Sequence, residues 1–478
     1  RHTRICFTSD HMIVRDATST QSEHHIKSIY LSKLFGRYTY EVPKQGGALS
    51  DLNILYGENG LGKTSLLSLI FHLLSPARNK NHKTAISAIL FHELRVTLND
   101  GTTITATKDP QLLTGPVSFA IASGTQLTEW RFSPNARSSI VTDGLPEYVD
   151  VLTLPVELRE EVTQALAERK FFTELSKLQA APFMLTSDRI LLGDSIESQR
   201  EIRRTSVQEA ASRSKVAEIV SDYRVGAVTQ ALASASSWLQ TKFVERSYGA
   251  GESASRVYQD VVKRIAKTPY KTSAGLNKIQ QAKLRESLIA QIDNLNQKSK
   301  EFSSFGFARM SITSVIRETV AESSGNKLHL IENVLSPHLA ELKARLDSID
   351  PVYQLASGFV QNVNKFFHDK TLKYSLRHGV QIFSSDDGQE KNPMTPSQLS
   401  SGEQQLILIF CSVLTARDTP NIFIIDEPEI SLNIMWQRML VSSLQELSHG
   451  SQTQLIFASH SMEILAKHRS RVVTLDAV

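Results

Sequence analysis

Residues 57–64 of the chain read GENGLGKT and follow the apolar run NILY at residues 53–56. The run LLSLIFHLL, which has helical spacing, occupies residues 66–74 directly after them. A glycine-rich turn that ends in Gly-Lys-Thr and joins a buried strand to a helix is the phosphate-binding loop of NTPases (Walker A). The flanking strand and helix make a chance match rare, so this stretch predicts a nucleotide-binding α/β core.

The predicted nucleotide-binding residues of this loop act through backbone N–H groups and two side chains. Lys63 is expected to neutralise β- and γ-phosphate oxygens, and is also predicted to be catalytic, while the Thr64 hydroxyl is expected to ligate Mg²⁺. The predicted ligands of ATP in this loop are Asn59, Gly60, Gly62, Lys63, Thr64 and Ser65.

A second motif is the run NIFIIDEP at residues 421–428, an apolar strand that ends in two carboxylates. It has the form of a Walker B strand, in which Asp426 holds Mg²⁺ through water and Glu427 is the general base for the attacking water. A strand that happens to end at an acidic turn is the alternative. That alternative does not explain why the same chain also carries a phosphate-binding loop.

Two further motifs surround the Walker B strand. Residues 398–404, QLSSGEQ, stand directly before a predicted helix, so Ser400, Ser401 and Gly402 are predicted to form an anion site at its N-terminus. A serine that only caps the helix is the alternative. His460 ends the apolar run LIFAS and is predicted to contact the γ-phosphate, although a lone histidine more often has a structural role.

Composition is that of a globular protein, with 41% hydrophobic and 21% charged residues and no apolar run near the roughly 20 residues that span a bilayer. A soluble, cytoplasmic protein with no membrane partner is expected. Cys6 and Cys411 are too few for a disulfide framework or a cysteine metal site. Residues 1–24 resemble no signal peptide and are interpreted as a tail.

Charge is concentrated in the middle of the chain. Residues 197–309 hold 19 Lys/Arg against 11 Asp/Glu, an excess of +8, so a net charge of +4 leaves the remainder near −4. Such a segment can attract DNA or an acidic protein, and it is equally typical of a solvated helical surface.

The chain alternates between strand-rich and helix-rich segments. Strand-like runs fill much of residues 25–195, including a hairpin around Asn99, Asp100 and Gly101 and a buried strand in APFMLTSDRILL at residues 181–192. Residues 196–375 are predicted to be a helical insertion, at most a short coiled coil, because Gly and Pro interrupt the heptads. Residues 376–478 alternate helix and strand as in a parallel sheet. The interrupting residues are Gly226, Gly249, Gly251, Pro269 and Gly275.

LSSGE at residues 399–403 resembles the LSGGQ signature of ABC ATPases, with Ser401 for a glycine and Glu403 for the glutamine. The resemblance implies an α/β fold, an ABC-type ATPase head of a β-rich lobe and a parallel RecA-like core, split into residues 25–195 and 376–478 by the insertion. In that family the signature of one head binds the γ-phosphate held by the other head. It therefore implies a homo-oligomer with ATP and Mg²⁺ enclosed between subunits.

The string IDEPEISLN at residues 425–433, followed by Trp436 and Gln437, resembles the OLD-like anti-phage ATPases. Residues 431–433 are then the D-loop at the dimer interface, with Asn433 for the usual histidine and Ile434 for the usual proline. Ser187, Asp188 and Arg189 match a polar turn that carries nucleotide sensors. Only 18 residues follow His460, so a TOPRIM nuclease like that of OLD proteins is not expected within this chain.

Within that family the chain most resembles the AriA-type ATPases of PARIS systems, which act with a separate TOPRIM protein of the AriB type. The PtuA-type ATPases of Septu systems, which act with an HNH protein of the PtuB type, are the second choice. The resemblance implies a cytoplasmic defence ATPase that oligomerises beyond a dimer and controls a separate nuclease effector on a phage trigger. The alternative is a DNA-binding repair ATPase like SMC and Rad50, whose basic insertion contacts DNA. A transporter ATPase is disfavoured, because no Q-loop glutamine stands in the turn after residue 185.

Overall fold

The computed structural model describes residues 24–134, 155–187, 191–193, 213–248, 277–308, 314–323, 326–384, 393–418 and 421–475. Its strands are β1 (Ile26–Leu34), β2 (Tyr38–Val42), β3 (Leu52–Tyr56), β4 (Glu93–Leu98), β5 (Thr103–Thr107), β6 (Val117–Ser123), β7 (Gln126–Phe132), β8 (Ala181–Leu185), β9 (Leu191–Gly193), β10 (Lys370–Ser375), β11 (Gly379–Ser384), β12 (Asn421–Asp426), β13 (Thr453–Ala458) and β14 (Val472–Thr474). Its helices are α1 (Lys63–Leu74), α2 (His82–Ala88), α3 (Val156–Lys177), α4 (Arg213–Tyr248), α5 (Lys278–Ser303), α6 (Ser314–Glu322), α7 (Asn326–Asn364), α8 (Ser401–Thr415), α9 (Ile434–Ser448) and α10 (Met462–Lys467).

The central sheet has the strand order β14-β3-β13-β12-β8-β9. All of its neighbouring strands pair in parallel except the short edge strand β9, which is antiparallel to β8. Parallel neighbours need crossover connections, and α9 and α10 supply them between β12, β13 and β14. The predicted parallel α/β core is confirmed.

A second sheet is antiparallel, with the order β2-β1-β4-β5-β6-β7. Buried side chains alternate with half-buried or exposed ones along β4, β5 and β6, as in a sheet with one face on the core. The turn from β4 to β5 is closed by the Gly101 N–H donating to the Leu98 carbonyl, and Gly101 has a φ of 88°. The predicted β-rich lobe and its hairpin are therefore confirmed.

Two apolar cores lie on opposite faces of the central sheet. On β12, Ile422 and Ile424 pack with α1 and the antiparallel sheet, whereas Phe423 and Ile425 pack with the helices of the other face. Every residue of β13 is buried. Because both faces of these strands are covered, their sequences are continuous apolar runs instead of alternating ones.

The helices between β9 and β10 are packed on the α/β core as well as on one another. α4 packs along α8, and Trp238 of α4 donates from Nε1 to Asp418 Oδ2 at 2.7 Å. α5 packs against α7, where Lys298 Nζ lies 2.8 Å from Asp347 Oδ1. α7 has 39 residues and is therefore about 58 Å long at about 1.5 Å per residue. Each helix in the described residues is either too short or too polar to cross a bilayer.

Three expectations about element boundaries change. Gly226 does not interrupt a helix, because it lies inside the continuous α4. The run after residue 180 forms two antiparallel strands, β8 and β9, instead of one. Strands return at Lys370, slightly before residue 376, because β10 and β11 form a hairpin. The other expected breaks, Gly249, Gly251, Pro269 and Gly275, and most of the expected tail, residues 1–23, lie outside the described residues.

Candidate functional site

The loops that follow four parallel strands carry the residues predicted to bind nucleotide. The phosphate-binding loop follows β3, and His460 follows the neighbouring strand β13. Asp426 and Glu427 stand at the end of β12, the next strand in the sheet, so His460 lies between them and the loop. Ser187, half buried, follows β8 on the far side of Asp426. The crevice outside the carboxyl ends of parallel strands is where open α/β sheets bind ligands.

The phosphate-binding loop turns sharply at two glycines. Gly60 has a φ of 88° and no atom within 4 Å of the position of an added Cβ, so the loop is open there. Gly62 has a φ of 77° and caps α1, and an added Cβ would lie 2.6 Å from Leu34 Cδ2. The Tyr40 hydroxyl donates to the Leu61 carbonyl at 2.6 Å. Burial raises the pKa of Tyr40 to about 12, so Tyr40 stays a donor at neutral pH.

Lys63 lies inside the loop, with only 5% of its surface exposed. Its Nζ donates to the Gly57 carbonyl at 2.6 Å and to the Glu58 carbonyl at 3.0 Å. Asn59 is exposed on the loop, and Ser65 is half buried in the first turn of α1. The loop therefore wraps around an ammonium group and remains open to solvent, which suits an incoming phosphate.

The predicted metal ligands are in direct contact. The Thr64 hydroxyl donates to Asp426 Oδ2 at 2.7 Å, while Asp426 Oδ1 is buried without a hydrogen-bond partner in the described part of the chain. Burial, together with the charges of Glu427 and Glu429, raises the pKa of Asp426 to about 6. A hydroxyl and an unpartnered carboxylate oxygen are the ligands that Mg²⁺ prefers, so these residues fit the ion.

Glu427 and His460 are close together at the mouth of the crevice. The Glu427 N–H donates to the Ala458 carbonyl at 2.9 Å, and its φ is 49°, a left-handed conformation that is uncommon for a residue with a side chain. Glu427 Oε1 lies 3.9 Å from His460 Nδ1. Strained conformations of this kind are concentrated at functional sites.

Glu429 is a site residue that the sequence reasoning missed. It is buried, and its Oε1 accepts hydrogen bonds from Ser459 Oγ at 2.9 Å, from the His460 N–H at 2.8 Å and from the Ser461 N–H at 3.1 Å. The signal available in the sequence was a third carboxylate, directly after Pro428. Glu429 therefore fixes the loop that carries His460.

Ser400 is the N-cap of α8 and forms a capping box with Glu403. The Glu403 N–H donates to Ser400 Oγ at 3.3 Å, and the Ser400 N–H donates to Glu403 Oε2 at 2.7 Å. Lys370 Nζ lies 3.0 Å from Glu403 Oε1. The serine is thus a helix cap, as the alternative stated, yet its exposed hydroxyl can still donate a hydrogen bond to a phosphate oxygen.

Gly402 is packed against the 431–433 turn of the same chain. A Cβ at Gly402 would lie 2.7 Å from the Ser431 carbonyl oxygen and 3.3 Å from Trp436 Cζ3, which only a glycine avoids. Ser431 has a φ of 64°, and the Asn433 side chain accepts from the Trp436 N–H at 2.9 Å. Ser401 is exposed beside this contact. The signature and the predicted D-loop therefore form one surface.

The structure thus groups the predicted residues into two sets. The first, around the phosphate-binding loop, contains Lys63, Thr64, Asp426, Glu427 and His460. The second contains Ser400, Ser401 and Gly402, and no hydrogen bond between described residues joins it to the first. Asp188 and Arg189, the other predicted sensors, lie outside the described residues.

Residues 47–465 match the family model AAA_15, an AAA ATPase domain. The chain belongs to the AAA_15 family. The molybdenum import ATP-binding protein ModC of Haemophilus influenzae is 28% identical over 138 residues, 26% of this chain and 38% of that protein. ModC of Yersinia pestis is 35% identical over 82 residues, 17% of this chain and 22% of that protein. The chain thus spans under two fifths of these relatives, and the matches support an ABC- or AAA-type ATPase.

Two solved structures are similar to this AAA_15 chain at low scores. The Smc head domain of Pyrococcus furiosus, bound to the C-terminal domain of ScpA, has 12% identity and a TM-score of 0.33, covering 93% of this chain and 91% of that one. The Smc head of Pyrococcus yayanosii has 15% identity and a TM-score of 0.30, covering 93% of each chain.

Phe35 is another residue of this AAA_15 site that the sequence reasoning missed. It follows β1, has a φ of 52°, and is held by its N–H donating to the Leu90 carbonyl at 2.9 Å. Its Cε2 atom lies 3.1 Å from the position of an added Cβ on Gly62, so the half-exposed ring borders the phosphate-binding loop. The signal available in the sequence was the position of Phe35 in the short turn between the strand-like runs that form β1 and β2.

Replacing Asp426 with asparagine is expected to change the pH dependence of stability. A carboxyl with a pKa raised from 3.8 to about 6 stabilises the folded protein below about pH 4, and this contribution is lost as pH rises through 6. The free energy of unfolding of the variant, relative to that of the wild type, should therefore be about 1–2 kcal/mol higher at pH 8 than at pH 5. This size follows from the roughly 1.4 kcal/mol that corresponds to one pKa unit.

Urea unfolding of both nucleotide-free proteins at pH 5 and pH 8 measures this difference. A gap between variant and wild type that is the same at both pH values would contradict the raised pKa. Adding ATP with Mg²⁺ should stabilise the wild type more than the variant, because the variant lacks the carboxylate charge beside Thr64 but keeps Lys63 and the loop.

Proposed function

We propose that this chain binds and hydrolyses ATP with Mg²⁺. The contact between Thr64 and Asp426, with one buried carboxylate oxygen left unpartnered, is the observation that carries the proposal. Lys63 and the loop N–H groups hold the β- and γ-phosphates, and Thr64 and Asp426 hold the metal ion, which neutralises phosphate charge when bound.

Glu427 accepts the proton of the attacking water, and His460 donates a hydrogen bond to the γ-phosphate. The position of Glu427 supports this role. Its left-handed backbone keeps the side chain at the open end of β12, three quarters buried but reachable by water. The hydrogen bond from the His460 N–H to Glu429 fixes the loop that carries His460, whose Nδ1 lies 3.9 Å from Glu427 Oε1.

The active form is a pair of heads, each of which supplies its signature to the ATP held by the other. Ser400 and Ser401 are exposed, although they belong to a motif expected to bind phosphate. Three large apolar side chains beside the D-loop and the His460 loop are also exposed, Ile434 by 57%, Met435 by 61% and Met462 by 68%. Apolar side chains on such a surface favour a protein partner, and a second head would cover them.

The pair of heads belongs to a cytoplasmic anti-phage defence complex that controls a separate nuclease effector. The support for this role is the string DEPEISLN, followed by Trp436 and Gln437, because hydrogen bonds connect its residues to the His460 loop, to α9 and to the D-loop. Glu429 holds the His460 loop, Asn433 caps α9, and Gln437 binds the D-loop. A TOPRIM protein of the AriB type is the preferred effector, and an HNH protein of the PtuB type is the second choice. A phage protein is the proposed trigger.

The mass in solution of the native complex, purified with ATP and Mg²⁺ from cells that carry its neighbouring genes, tests this proposal. The expected result is an oligomer of more than two subunits with a nuclease bound, and loss of the paired form when ATP is removed. A monomer under all conditions would contradict the paired heads. An oligomer without any nuclease would contradict the defence role and leave the ATPase intact.

A DNA-binding repair ATPase is the alternative, and the excess of basic residues in the sequence of the insertion favours it. Lys278, Lys283 and Lys300 of α5 are exposed, and so are the acidic Glu286, Asp293 and Glu301 of the same helix. This function predicts that the insertion binds duplex DNA in a salt-sensitive way that requires ATP. Binding of a 40-base-pair duplex that disappears at about 200 mM salt and without ATP would favour the repair function over the effector-controlling one.

A further inference from the structure

One carboxylate oxygen organises the loop that carries His460. Glu429 Oε1 receives three hydrogen bonds, from Ser459 Oγ and from the N–H groups of His460 and Ser461, and it lies 3.3 Å from His460 Nδ1. The other oxygen, Oε2, is buried without a hydrogen-bond partner in the part of the chain described. A buried carboxylate that gathers so many donors is costly to disturb, so the loop is held rigidly.

The same loop is also linked to the D-loop through the side chain of Gln437. Ser461 Oγ donates to Gln437 Oε1 at 2.7 Å, and Gln437 Nε2 donates to the Leu432 carbonyl at 2.8 Å. Leu432 lies next to Ser431, whose carbonyl oxygen is packed against Gly402 of the signature. An amide side chain is suited to this position because it offers an acceptor to one loop and a donor to the other.

We propose that Glu429 and Gln437 are positioning residues that couple His460 in one nucleotide site to the D-loop and signature surface that serves the other site. The inference rests on the proposed paired heads. When His460 moves as the γ-phosphate is bound or lost, Ser461 moves with it. Gln437 then either follows Ser461 and moves the 431–433 turn through the Leu432 carbonyl, or loses its hydrogen bond to one of these two residues.

Replacing Gln437 with methionine should separate this coupling from nucleotide binding. Methionine has a similar length and removes these two hydrogen bonds together with a longer one from Gln437 Nε2 to the Glu429 carbonyl at 3.5 Å, while the phosphate-binding loop and the hydrogen bonds of the Glu429 carboxylate remain. The expected result is a fall of about ten-fold in kcat with KM changed less than two-fold, and a less steep dependence of rate on ATP concentration. A coupling of this size is typical of contacts between two sites.

Gln445→Met is the matched control, because Gln445 is exposed on the same helix α9 and its replacement should leave the kinetics and the unfolding temperature unchanged. A double-mutant cycle with Ser461→Ala identifies the path. If Ser461 and Gln437 act together, adding Gln437→Met to Ser461→Ala causes no further loss of kcat.

Two results would overturn the coupling while leaving the ATPase in place. One is a kcat for Gln437→Met equal to that of the wild type, and the other is full additivity with Ser461→Ala. A wild-type chain that forms no pairs and hydrolyses no ATP would instead overturn the proposed function, and with it this coupling.

Discussion

Replacing Glu427 with glutamine is expected to lower kcat for ATP hydrolysis by about a hundred-fold or more and to trap the ATP-bound pair of heads. The amide has the same size as the carboxylate and can keep its place beside His460, but it cannot accept the proton of the attacking water. Loss of a general base typically costs about 10² to 10⁴ in rate. Binding of ATP does not require this proton transfer, so affinity should change little.

Single-turnover kinetics and mass in solution, both with ATP and Mg²⁺, measure the two parts of this result. The variant should remain paired for as long as ATP is present, whereas the wild type should return to smaller species as ATP is consumed. Glu160→Gln, at an exposed position on α3, removes one carboxylate elsewhere and should behave as the wild type. Normal hydrolysis by Glu427→Gln would show that another group is the base.

Local sequence signals were sufficient for much of the fold. The apolar run before Gly57, the Asn-Asp-Gly turn at residues 99–101 and the all-apolar strand before Asp426 each specify an element through nearby residues. Gly226 was misjudged because a glycine inside a helix costs only about 1 kcal/mol relative to alanine. The packing of α4 against α8 outweighs that cost, and this packing joins segments far apart in the chain.

The phosphate-binding loop and the Asp426–Glu427 pair were also predictable, because each is contiguous in sequence and its spacing is set by the chemistry of phosphate and Mg²⁺. Glu429 was not, since its hydrogen-bond partners are 30 or more residues away. The packing of Gly402 against Ser431 was hidden for the same reason. The sequence therefore indicated the reacting groups, while the contacts that position them depend on tertiary structure.

Replacing Lys63 with methionine is expected to weaken ATP binding by about a hundred-fold or more. The ammonium is buried in the loop, where it donates to the Gly57 and Glu58 carbonyls. A hydrogen bond to a charged group contributes about 1.5–3 kcal/mol, so the loss of this donor to the β- and γ-oxygens accounts for one to two orders of magnitude, and the lost charge attraction adds to it.

Calorimetric titration with ATP and Mg²⁺ measures the affinity, and Lys343→Met, which removes an exposed lysine on α7, is the control for net charge.

The mass of Lys63→Met in solution distinguishes pairing that depends on bound ATP from pairing that does not. If pairs of heads form only through bound ATP, the variant should stay unpaired at ATP concentrations that saturate the wild type. Pairs that form without bound ATP would instead show that contacts between the proteins are sufficient for association, and the exposed Ile434, Met435 and Met462 are the candidates for those contacts.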